Sequence, residues 1–274
     1  MNQDPVMMDS SPTSPTSPRP VGHAQAGRAT LADRLGCLFL APAHAVEQLL
    51  QARDRGPLKP PTLAGSKRAA LAAPVELARV KAVARERGAT VSAVVAACFA
   101  RALSAASSGQ GVPCKFWVPV SFNADGGATP TMRNELCFVM LPMATGAPSA
   151  GEALDSADRH MRQLKSSSAA PALLLVLRAV LALFPVSLAQ GFLNAIGNKA
   201  TGVFSSVPGP QAELKWGSWR LTAISFLVPQ RAAFGIGLSA VSYAGALRIA
   251  VSADAAALPD PEAVVQAWGA ALAE

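Results

Sequence analysis

Charged residues make up only 15% of this 274-residue chain and aromatics 5%, with a single tyrosine, Tyr243. So few large anchors leave Ala, Val and Leu to fill the interior, which favours close-packed helices against a sheet. A hydrophobic content of 51% is ample for a core, so the chain as a whole is expected to fold. Cysteine is scarce too. Cys37, Cys98, Cys114 and Cys137 stand far apart and mostly inside apolar runs, which excludes a paired metal motif and a disulfide framework. They read as reduced core residues. Zinc-finger spacing, Lys/Arg blocks and aromatics interleaved with basic residues are all missing, which argues against nucleic acid as a partner. The most apolar run, 172–184, spans thirteen residues, contains Arg178 and stops at Pro185. It is too short to cross a bilayer.

What is present begins with charge. The net charge is +7, and residues 1–90 hold 12 Lys and Arg against 7 Asp and Glu, so the basic excess lies towards the N-terminal side. Such a surface suits an anionic membrane or the phosphates of coenzyme A, although most of these charges read as solvated surface. Residues 1–30 contain the near-repeat Ser11-Pro12-Thr13-Ser14-Pro15-Thr16-Ser17-Pro18 and read as a disordered tail, with no secretory signal. Residues 31–66 read as a linker with a short helix broken at Pro42 and a Pro-rich stretch at 57–63. A folded domain is expected over 67–274.

Within that domain, the stripe Leu77, Val80, Val83 and Ala84 predicts a helix starting near Pro74 and ending at Gly88. Thr90 is placed to cap a second, largely buried helix through Leu103. Strands are expected over 115–122 and 136–141, the second apolar without alternation, as in a central strand. An amphipathic helix carries Leu154, Ala157, Met161 and Leu164, and apolar helices follow over 172–184 and 186–196. The last third predicts strands over 201–206 and 219–228, then a hairpin from 236–243 into 247–253 that turns at Ala244-Gly245. A final helix starts at Asp260-Pro261-Glu262. The predicted class is α/β, with one mixed sheet packed with helices.

Several segments, taken in order, resemble one family. Arg87-Gly88-Ala89-Thr90-Val91, Val118-Pro119-Val120-Ser121-Phe122 and the stretch from Asn134 to Pro142 are similar to successive blocks of the wax ester synthase/diacylglycerol acyltransferase family. Ser205-Ser206-Val207-Pro208-Gly209-Pro210, Gly237-Leu238-Ser239, Ser242-Tyr243-Ala244-Gly245 and Asp254 with Pro259-Asp260-Pro261-Glu262 resemble its C-terminal blocks. Any one block is weak; the ordered set is strong. The resemblance implies a chloramphenicol acetyltransferase-like domain, half of the usual two-domain enzyme, in which two domains face each other across a tunnel entered by acyl-CoA. It implies tunnel-lining roles for Asn134, Ser205, Ser206, Pro208, Gly209, Ser239, Tyr243 and Gly245. For the Pro208-Gly209-Pro210 loop a plain surface turn stays open as an alternative, and for Tyr243 so does ordinary packing.

In that family the N-terminal domain supplies His-His-x-x-x-Asp-Gly, whose second histidine is the general base on the acceptor hydroxyl. Here the histidines are His23, His44 and His160, and none is followed by Asp-Gly at that spacing. All three read as solvated. Many members also read Thr-Val-Asn-Asp-Val where this chain has Thr90-Val91-Ser92-Ala93-Val94. The resemblance therefore implies the C-terminal half of an acyl-CoA-dependent O-acyltransferase making triacylglycerol or wax ester, inactive alone, with acyl-CoA as substrate and no cofactor. The implied partners are acyl-CoA, a diacylglycerol or lipid alcohol, and an N-terminal half or homologous subunit. The alternative is a non-catalytic lipid- or CoA-binding module, or a regulatory partner. The expected location is cytoplasmic, or peripheral to a membrane or lipid-droplet surface, because the segment 172–196 suits the edge of a membrane or the cover of an acyl channel.

Overall fold

A computed structural model describes residues 50–107, 109, 111–112, 114–121, 136–166, 169–230 and 234–274, together with Ala43, Val46 and Glu47. Its elements are β1 (Lys67–Leu71), β2 (Val75–Glu76), α1 (Leu77–Glu86), α2 (Val91–Ala106), β3 (Cys114–Ser121) and β4 (Leu136–Met143). There follow α3 (Ala150–Ser166), α4 (Ala169–Leu183), α5 (Val186–Gly197), β5 (Gly202–Pro208), β6 (Lys215–Trp216) and β7 (Trp219–Arg220). The last elements are β8 (Ile236–Tyr243), β9 (Ala246–Asp254) and α6 (Pro261–Ala271).

Local chemistry sets the element ends. Gly88 adopts φ 61° after α1, while the Ala89 N–H reaches the Ala84 carbonyl and the Gly88 N–H that of Arg85, a Schellman ending that a side chain would strain. Thr90 accepts a hydrogen bond from the Ala93 N–H and caps α2, and Asp260 does the same for the Ala263 N–H at the start of α6. At the hairpin tip Ala244 and Gly245 have φ of 47° and 81°, the two positive angles of a type I′ turn.

Seven strands form one mixed sheet in the order β1-β9-β8-β5-β3-β4, with β2 continuing on β9. β5 runs parallel to β3 and β8, and the other pairs are antiparallel. Strand alternation sends Phe116, Phe204, Ile236, Leu238, Ile249 and Val251 to one face, where they join α1, α2, α3 and α6 in the main core. The alanines Ala93, Ala96, Ala97 and Ala100 leave α2 thin enough to be buried on nearly all sides. Trp268 of α6 anchors this layer, its ring tilted 52° against that of Phe99 and its indole N–H donated to the Val95 carbonyl. The opposite face carries a smaller cluster built from Trp117, Met140, Ala200, Val203 and Val228. α4 packs at the β4 edge, where Ala170, Leu173 and Leu174 meet Cys137 and Val139.

Three expectations need correction. The segment starting at Pro74 is not yet helix: Val75 and Glu76 pair with Leu247 and Ala246 of β9, and α1 begins at Leu77. The strand expected over 219–228 shrinks to Trp219–Arg220, which pairs only with Lys215–Trp216, so residues 221–228 join no ladder despite their strand-like composition. Conversely, Lys67–Leu71 carries no strand pattern and becomes one by pairing with β9. Of the helical pattern about Pro42, Ala43, Val46, Glu47 and Leu50 are described and helical; the disordered-tail reading of residues 1–30, Pro42 itself, and Cys37, His23 and His44 lie outside the described residues.

The stretch before β1 carries buried contacts. The Asp54 carboxylate accepts from the Lys115 N–H (2.6 Å), the Thr201 N–H (3.1 Å) and the Thr201 hydroxyl (2.9 Å). Lys59 is buried and donates to the Ala200 carbonyl at 2.5 Å. Burial first, and then Arg53, lowers its pKa to about 8, with Asp54 opposing. At the far end of β9, Asp254 accepts from the N–H groups of Ala64, Gly65 and Ala256. Among the described residues no single helix is long and apolar enough to cross a membrane.

Candidate functional site

The second face of the sheet holds the site. α4 and α5 are joined at Pro185 and fold back over β3, β4 and β5, and Phe226, Val228, Pro229 and Phe234 line the other side. Between them lies a cavity of about 560 Å3 walled by Trp117, Leu173, Leu177, Phe192, Val203 and Phe226, among others. Its size falls within the ~300–1,000 Å3 usual for small-molecule sites. Among the described residues that line it, none carries a charge. Among the described residues, polar side chains reach the wall at Ser205, Asn194 and Cys137, and burial pushes the Cys137 thiol up to about 12, so it stays a neutral thiol. Cys98 and Cys114 are likewise buried and free, with thiols raised to about 12 mainly by desolvation.

Strand alternation along β5 separates two serines expected to act together. Ser205 faces the cavity, whereas Ser206 faces the helical layer, where it accepts a hydrogen bond from the Ser92 hydroxyl. At the end of β5 the Pro208-Gly209-Pro210 loop locks onto the hairpin. The Gly209 N–H donates to the Ser242 hydroxyl, Gln211 bridges the Gly209 carbonyl and that hydroxyl, and the Ala244 N–H donates to the Pro210 carbonyl. A Cβ on Gly209 would stand 2.3 Å from the Ser242 carbonyl oxygen, so glycine is needed there for close approach as well as for turn chemistry.

The remaining expected residues fall elsewhere. Ser239 is buried and donates to the carbonyls of Phe226 and Ala250, holding Phe226 of the wall against β8. Tyr243 is 2% exposed, with its hydroxyl donating to the Leu221 carbonyl and accepting from the Leu214 N–H. It braces the segment that leaves β5 for β7. The Gly245 carbonyl accepts from the Leu77 N–H at the start of α1. Asn134 lies outside the described residues. Of the tunnel residues implied by resemblance that are described, only Ser205 lines the cavity, and Ser239 shapes it through Phe226.

Motif reading missed the apolar walls themselves, because Trp117, Val203 and Phe226 look like ordinary sheet residues in sequence. The available signal was the strongly apolar run after Ala172, interrupted only by Arg178 as far as Phe192, whose Leu173, Leu177 and Phe192 form the roof. His160 contributes nothing here, since its Nδ1 is 2.8 Å from the Ser156 carbonyl of its own helix.

The fold is that of the chloramphenicol acetyltransferase-like enzymes. A wax ester synthase/diacylglycerol acyltransferase from Marinobacter aquaeolei VT8 superposes with a TM-score of 0.59 at 20% identity, over 86% of this chain and 56% of that one. A trichothecene 15-O-acetyltransferase from Fusarium sporotrichioides gives 0.55 at 16%, over 88% and 52%. A cyclization-docking bidomain of a nonribosomal peptide synthetase from Sorangium cellulosum gives 0.53 at 13%, over 86% and 48%. The chain thus spans about half the length of these structures. No curated protein matches it by sequence. The WS/DGAT C-terminal domain matches residues 132–274, just over half of the chain, and the chain belongs to that family.

Proposed function

We propose that this chain is the acyl-holding half of an acyl-CoA-dependent O-acyltransferase whose acceptor is a diacylglycerol or a long-chain alcohol. The observation that carries this reading is the apolar cavity under α4 and α5, with no charge among its described lining residues, in a member of the WS/DGAT C-terminal family. Burying an acyl chain gains about 0.8 kcal/mol per methylene, and none of the described wall residues is a charge that must lose its water for the chain to enter.

Transfer also needs a base. The acceptor oxygen attacks the thioester carbonyl and gives up its proton, the new C–O bond forms, the C–S bond breaks, and coenzyme A leaves as the thiol. His-His-x-x-x-Asp-Gly does not occur in these 274 residues, and His160 is engaged within its own helix. We assign the base to an N-terminal half that works with this one, within a longer polypeptide or as a separate subunit. Acyl-CoA and the lipid acceptor are then the substrates, and no cofactor is needed.

Photocrosslinking tests the reading. A long-chain acyl-CoA carrying a diazirine near its methyl end should label Leu177, Phe192, Val203 or Phe226, as mapped by mass spectrometry. Adducts scattered over the surface, with none on these walls, would refute it.

A further inference from the structure

Residues 181–188, Leu-Ala-Leu-Phe-Pro-Val-Ser-Leu, are exposed without a break, and seven of the eight are apolar. They form the tip of the α4–α5 hairpin, where Leu183 is 76% and Val186 70% exposed. A soluble surface does not carry such a run without a use for it. Of α5 only Ala189 is buried, although the helix is apolar almost all round. A helix of that composition belongs in a core or against lipid, and this one is not in the core.

Charge decides between occupants. No Asp or Glu occurs between Asp158 and Glu213, while Arg159, Arg162, Lys165, Arg178 and Lys199 do. Asp158 itself is paired with Arg162. The hairpin therefore presents no carboxylate to anionic headgroups, and the chain as a whole carries +7. Apolar exposure also wraps the end of α4, the Pro185 turn and the start of α5. A protein groove receives a one-sided stripe; lipid receives a whole tip. α4 is too short to span, so the geometry suits insertion into one leaflet.

We infer that the α4–α5 hairpin docks this protein on a phospholipid surface with anionic headgroups by burying Leu181, Leu183, Phe184, Val186 and Leu188 among the acyl chains. Leu193 is 39% exposed and also lines the cavity, so the docked helix brings the cavity wall to the lipid. This docking does not depend on the cavity holding an acyl chain.

Flotation of the full chain with vesicles tests it, because vesicle-bound protein rises in the gradient and aggregate sinks. Wild type should float with phosphatidylcholine–phosphatidylglycerol vesicles, less with phosphatidylcholine alone, and less again in high salt. The Leu183→Glu/Phe184→Glu double variant should lose at least about tenfold in vesicle affinity. Both side chains are exposed, so its far-UV circular dichroism and melting temperature should match wild type; Val186→Asp gives a second readout if they do not. Failure of wild type to float, or equal floating of both tip variants, would overturn the inference. So would a dimer in light scattering that the tip variants dissociate, with wild type left unbound by vesicles. Photocrosslinking of the cavity reads a different event, so either result can fail without the other.

Discussion

The Ser92 hydroxyl donates a 3.2 Å hydrogen bond to that of Ser206, joining the first turn of α2 to β5 across 114 residues. A single hydroxyl pair thus makes the link to the SSVPGP block. Removing either partner should cost about 1 kcal/mol. Denaturant melts of Ser92→Ala, Ser206→Ala and the double variant should show that the two losses are not additive, since the pair shares one bond. Additive losses would mean that the hydroxyls act separately.

Gly209 makes a sharper prediction. A methyl group there meets the Ser242 carbonyl oxygen at 2.3 Å, so Gly209→Ala must push β5 away from the hairpin. Overpacking of this kind costs about 1–3 kcal/mol. Gly245→Ala meets nothing within 4 Å and suffers only from φ 81°, a cost of about 1 kcal/mol. Thermal melts should therefore rank Gly209→Ala below Gly245→Ala.

Two buried charges set opposite pH windows. Burial alone would raise the Asp254 pKa, but the N–H groups of Ala64, Ala256 and Gly65, with Lys67, hold it below the ordinary 3.8. The folded state therefore releases this proton more readily than the unfolded chain, so the stabilisation is complete above that ordinary value and disappears as pH falls through the lower folded one. Asp254→Asn should melt earlier than wild type at neutral pH and converge with it in acid. A constant gap down to strong acid would contradict this assignment.

Lys59 runs the other way. Its pKa of about 8 lies below the ordinary 10.5, so the unfolded chain holds the proton longer and stability rises with pH between those two values. Urea unfolding should show wild type gaining on Lys59→Met over that interval. No relative gain would mean that the ammonium is well solvated.

These positions explain how far the sequence could be read. The helix ends at Gly88 and Asp260 and the turn at Ala244-Gly245 were legible because each depends on a few neighbouring residues. β1 was not, because Lys67–Leu71 is strand only through its partner β9. Residues 221–228 misled for the converse reason: their composition suits a strand, and no ladder receives them. Within the site, the motif serines could be located, but their opposite facings follow from the alternation of β5 once its place in the sheet is known. For Tyr243 the sequence favours packing over substrate contact without deciding it, and the Leu214 and Leu221 contacts show its hydroxyl already engaged. The cavity has no sequence motif because apolar walls are chemically ordinary.

Equilibrium binding of a long-chain acyl-CoA to the purified chain, compared with free coenzyme A and with the cavity-filling variant Leu177→Trp, tests the central claim most directly. The acyl chain should tighten binding by well over about tenfold relative to free coenzyme A, and Leu177→Trp should remove that gain without affecting the free coenzyme. Equal affinity for both ligands, or an acyl gain that survives the filled cavity, would contradict an acyl-holding role.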